Sequence, residues 1–130
     1  MEQRDLLKDQ IEQLGKVLAK ILSDFLGLKS KGQGSQKIEI TDQRLLSELD
    51  IDIKMLADFT KKELKNYFIA RKFTANHLEI LSDYLNETGK VENALNKEEV
   101  KIRLRIAVEL LEIADEISNT LSLDRINKKK

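Results

Sequence analysis

The side chains that could do chemistry are few and widely spaced in this sequence. His77 is its only histidine, one residue before Leu78 in FTANHLEIL. An imidazole can act as a general base near neutral pH, but only with a nucleophile or an orienting carboxylate set against it. His77 therefore reads as a surface or half-buried structural residue, and one histidine does not define a metal site. Asp50 and Asp52 form an acidic pair of the kind that binds calcium. The glycine and glutamate of a calcium loop are missing, however, and the pair fits a helix start or a turn. Glu109, Glu112, Asp115 and Glu116 share one segment, but they interleave with apolar positions, and no Glu-x-x-His element suggests a di-iron bundle. They read as a solvated face. Tyr67, Phe68 and Phe73 lie beside Lys65, Arg71 and Lys72, as in a surface that stacks on bases. With only four phenylalanines and two tyrosines in the chain, these rings are needed in the core, with one face of Tyr67 left exposed. No serine sits in a nucleophile elbow, and the GQG of residues 32–34 has neither the trailing lysine nor the strand of a phosphate loop. The expectation is a protein with no catalytic residue, no cofactor and no metal, and so not an enzyme.

With so little chemistry to place, the elements carry the reading. The 130 residues suffice for one core, and the absence of proline with only five glycines suits long helices, so the expected fold is all-α, a helical bundle. No cysteine is present, which fits a reducing cytoplasm. The opening MEQRDLLKDQ has the character neither of a secretion signal nor of a membrane span. The Asn86-Glu87-Thr88 glycosylation pattern is accordingly a chance match. Basic and acidic residues number 23 each and stay nearly balanced along the chain, so no basic stripe for nucleic acid arises. Only Lys128, Lys129 and Lys130 cluster, within a basic, frayed tail expected over 121–130.

The chain divides at KSKGQGSQ, within a flexible linker expected over 29–37. Ahead of it, residues 1–28 form an amphipathic helix in which Leu7, Ile11, Leu14, Leu18, Ile21, Phe25 and Leu28 repeat at four and three. Val17 and Leu22 widen that seam beyond a two-stranded coil. Gly15 stands inside the helix, where glycine costs about 1 kcal/mol relative to alanine, so close approach of another helix is the expected reason.

Behind the linker, a compact helical domain is expected over 38–120. Thr41-Asp42 can start a helix through Leu45 and Leu49, and a second short helical patch follows a break near Asp50 to Asp52. Thr60 with Glu63 and Asn96 with Glu99 match capping boxes, and Thr74 offers another N-cap. In the last helix Val100, Leu104, Ala107, Leu111 and Ala114 form one seam and Ile106, Leu110, Ile113 and Ile117 a second, so that helix should be central. VKIRLRIAV also alternates like a strand, but its cap and its continuation into ELLEIADEI favour helix. Gly89 either ends a helix as a left-handed residue or lies inside a longer one and admits a close neighbour.

IEQLGKVLAKIL, together with LDIDIKMLADFTKKEL and FTANHLEILSDYLNETG, resembles a group of uncharacterised bacterial helical proteins that end in a tetratricopeptide-like helix pair. Gly89, Val100, Leu104 and Ala107 look like positions of that repeat, although Glu92 stands where a large aromatic is expected and only one repeat exists. The resemblance implies a scaffold. The functional expectation is a cytoplasmic protein–protein interaction or homo-oligomerisation module, its partner another protein or, as a homodimer, its own copy. The expected contact seam is Leu7, Ile11, Leu14, Gly15, Leu18, Ile21, Leu22, Phe25 and Leu28. A peripheral membrane helix is the alternative, weakened by the mixed charge of the polar face, and a small-molecule-binding bundle is the third.

Overall fold

The computed structural model describes residues 2–29, 34–91 and 94–119. Those residues form α1 (Glu2–Lys29), α2 (Gly34–Leu49), α3 (Ile53–Leu56), α4 (Lys61–Ala70), α5 (Ala75–Gly89) and α6 (Lys97–Asn119). The fold is an all-α helical bundle.

Local chemistry sets most helix starts. The Thr60 hydroxyl accepts from Glu63 N at 3.2 Å while the Glu63 carboxylate accepts from Thr60 N at 2.8 Å, so two otherwise unpaired donors are satisfied reciprocally. Asn96 and Glu99 repeat the arrangement before α6, at 2.8 and 3.4 Å. Asp52 caps α3 by accepting from Lys54 N. Helix ends are equally specific. Lys72 takes φ 65°, its N–H reaches Ile69 O and that of Phe73 reaches Phe68 O, a Schellman turn closed by the Phe68 and Phe73 rings 4.7 Å apart. Asp50, at φ 56°, stops α2 in the same left-handed region. Its carbonyl accepts from the Tyr67 hydroxyl and from Arg71, whose guanidinium also reaches Leu49 O and lies over the Tyr67 ring. Arg71 thereby holds the C-terminal end of α2 to α4.

The centre is the close pair α5 and α6, with α4 also against α6 and with α1 packed on both α2 and α5. Small residues bring the central pair together: Ala107 and Ala114 are buried, and Ser82 Oγ donates to Ala107 O at 2.8 Å. Leu78, Leu81, Leu85, Ile106, Leu110 and Ile113 fill the core between them.

Three expectations change. The linker placed at 29–37 shortens, because Lys29 still belongs to α1 and α2 begins at Gly34; residues 30–33 lie outside those described. The core of the domain placed at 38–120 also takes in α1, since Phe25 is fully buried with its ring edge-on to Tyr84, centroids 5.2 Å apart. α2 runs through Thr41 rather than starting there: that hydroxyl donates to Lys37 O one turn back. Gly89 is the last residue of α5 without a left-handed φ, and a Cβ on it would sit 3.1 Å from Leu104 Cδ2. Close approach, not backbone freedom, accounts for it. The tail at 121–130 lies outside the described residues.

Candidate functional site

The seam of α1 turns inward. Leu18, Ile21 and Phe25 are buried, and Leu14 and Leu22 pack partly against the same core. Ile11 and Gly15 are half-buried. The side chains of Leu7 and Leu28 lie outside those described. The described part of the seam expected to meet a partner therefore faces the core of its own chain, with α1 packed on α2 and α5.

Gly15 has a specific neighbour. A Cβ there would stand 3.1 Å from His77 Nε2 and 3.3 Å from His77 Cδ2. His77, only 3% exposed rather than at the surface, is the third residue of α5. Its N–H donates to Thr74 Oγ1 at 3.2 Å, and its Nδ1 accepts from Thr74 N at 3.0 Å. An imidazole thus takes the place of the glutamate in a capping box. Because Nδ1 accepts, the proton sits on Nε2. Burial holds the His77 pKa below its usual value, against the opposing pull of the Ile11 carbonyl. An open groove of about 490 Å³ passes over this joint, with Lys16 and Ala19 of α1 and Ile80 of α5 in its walls.

A second polar joint lies two to three turns further along the same face of α5. Arg103, 7% exposed, pairs with the Asp42 carboxylate of α2 and donates to Thr88 Oγ1 at 3.2 Å. The Tyr84 hydroxyl donates to the same carboxylate at 2.6 Å. Burial acts against the Arg103 charge, and Asp42 more than offsets it. Burial and the neighbouring carboxylate together push the Tyr84 pKa far up, so the phenol keeps its proton and offers no base. These groups fasten α2, α5 and α6 together. Nothing in the spacing of Asp42, Tyr84, Thr88 and Arg103 along the chain announces the cluster. The acids of α6 find bases instead of a metal: Glu109 takes Arg105, and Glu116 takes Lys61 and Lys65 of α4. Among the described residues, no group of three or more His, Asp or Glu side chains is placed to hold a metal ion.

Set among the charged residues that α6 leaves outside, three are apolar. Of the seam expected through Val100, Leu104, Ala107, Leu111 and Ala114, the alanines face inward, while Leu104 is 38% and Leu111 41% exposed. Val108, 54% exposed, stands between them. The three occupy one face at spacings of four and three. That line continues through the exposed Lys101 and Lys97 toward the helix start and through the half-buried Asp115 toward its end, with the exposed Glu112 beside it.

Fold and surface define a class, an all-α helical bundle with an apolar stripe on the outer face of a central helix. Comparison with protein-family models, curated proteins and solved structures finds no match.

Proposed function

We propose that this chain is a non-catalytic helical interaction module, and that it contacts other protein through the outer face of α6. One observation carries the reading: Leu104, Val108 and Leu111 stand in line on the solvent side of a helix whose opposite side is core. Single exposed aliphatics are ordinary, but an ordered stripe on a rigid helix is the surface that a second helix covers with ridges in grooves. Burial returns about 25 cal/mol per Å² of apolar surface. The face is ready without rearrangement, because Ile106, Leu110 and Ile113 anchor the same helix from behind.

The alternative of a peripheral membrane helix has less support, since the apolar side of α1 is already packed inside, and no described helix is long and apolar enough to cross a membrane. Titration with an apolar fluorescent dye tests the main reading. The chain is expected to bind the dye at the α6 face, and Val108→Lys to lose that binding with an unchanged melting temperature. Equal binding by both proteins would place the apolar surface elsewhere and remove the reading.

A further inference from the structure

The outer face of α6 carries charges arranged in order about its apolar centre. Lys101 lies seven residues before Val108 and Asp115 seven residues after it, both on the line that holds Leu104 and Leu111. One end of the stripe is thus basic and the other acidic. Two such helices laid parallel set lysine against lysine and aspartate against aspartate. Laid antiparallel about a two-fold axis, they set each Lys101 near the other copy's acidic end, while the apolar residues meet at the middle. A face that complements itself only in one direction is what an isologous contact requires.

We propose that the outer face of α6 docks against the same face of a second copy of this chain, with the two helices antiparallel and the two-fold axis close to Val108. The proposal rests on reading α6 as the docking face and names its occupant. The stripe is short, so the association is weak and concentration-dependent, unlike that of large obligate interfaces. The charged ends set direction and exclude the parallel arrangement more than they add affinity.

Light scattering on the full chain, from micromolar to millimolar concentration, tests this. Lys101→Asp, Asp115→Lys and Val108→Glu are compared with it, after thermal unfolding shows that each keeps its fold; Val108→Gln replaces any that does not. The mass is expected to rise from 15.0 kDa towards twice that value. Val108→Glu should weaken association at least about tenfold, as loss of a central contact does. Lys101→Asp and Asp115→Lys should each self-associate less than the parent, because like charges then face across the axis. Mixed one to one they should regain association, because both contacts across the mixed interface join opposite charges. A chain that stays single to millimolar concentration overturns the proposal. So does association untouched by Val108→Glu, a mixture no stronger than its components, or a version ending at Asn119 that associates where the full chain does not. The last result makes residues 120–130 the occupant. Dye binding separates the two levels: a single chain that still binds dye through Val108 loses only the second copy, and one that does not loses the docking face as well.

Discussion

Gly15 and His77 form one joint, and neither is intelligible alone. The imidazole is 3% exposed and held at Nδ1 by the Thr74 N–H, so it has little freedom to retreat from a methyl group placed 3.1 Å away. Alanine at position 15 gains about 1 kcal/mol of helix propensity, but crowding a packed and hydrogen-bonded ring costs typically 1–3 kcal/mol. Gly15→Ala is therefore expected to lower the denaturation midpoint of the intact chain and to raise it in a His77→Ala background. A double-mutant cycle in urea reads that reversal of sign, and simple additivity would show that the two residues do not interact. The same joint titrates. Because burial lowers the folded pKa of His77 from 6.5, the unfolded chain takes up the proton first as pH falls. Stability is complete above about 6.5 and declines below it until the folded pKa is reached; protonation also turns the Nδ1 acceptor into a donor facing the Thr74 N–H. His77→Gln can still accept at that position, so its stability should stay level through this window, as urea midpoints at successive pH values would reveal. The sequence offers a reason to ask about Gly15, the propensity cost, but no reason to connect it with a histidine 62 positions later. That link exists only once α1 lies on α5.

Elements written in local chemistry are the ones most legible from sequence. The boxes at Thr60 and Asn96 and the stop near Asp50 depend on residues a turn apart, and the structure forms all of them where the pattern indicates. The start of α2 was hidden because glycine and serine at 34 and 35 read as linker while the helix includes them. The box at Thr74 was half visible, with a histidine where glutamate or glutamine is usual. α6 shows why periodicity alone is ambiguous. Its two apolar seams read as two buried faces, yet only the one with Ile106, Leu110 and Ile113 is core, with Ile117 half-buried at its end, and the other keeps its alanines in and its leucines out. The end of α4 exposes a cost that sequence leaves unmarked. Lys72 occupies a left-handed conformation that costs an L-residue roughly 1 kcal/mol and glycine nothing. Its side chain is exposed. Lys72→Gly should raise stability by about 0.5–1 kcal/mol with the fold unchanged, whereas Lys72→Val at the same site should lower it. Paired urea titrations check both, and an equal loss in the two variants would mean that the lysine side chain, not the backbone, matters there.

At the scale of the whole molecule, the seam of α1 was legible and its destination was not. A stripe repeating at four and three states only that a helix faces something apolar, and a glycine-rich segment after it leaves the docking site undetermined. The core supplies the answer: Phe25, Ile21 and Leu18 lie against helices of their own chain, and Phe25 closes over Tyr84, whose hydroxyl is tied to Asp42. Removing α1 takes Leu18, Ile21 and Phe25 out of the core and uncovers Tyr84 along with the joint at His77. Each large buried side chain lost from such a site costs about 2–5 kcal/mol, so three of them together amount to about 6–15 kcal/mol, of the same size as the roughly 5–15 kcal/mol by which a domain is usually stable. A chain beginning at Gln36 is therefore expected to lose its cooperative transition and the dispersed methyl signals of a packed interior while keeping much of its helical circular dichroism. Addition of a separate peptide covering 2–29 should restore both, with an affinity that falls when Phe25 is replaced by alanine. A truncated chain that melts cooperatively near the parent temperature would mean that α1 rests on a finished bundle rather than completing it. Its apolar side would then be open to exchange for the helix of another protein.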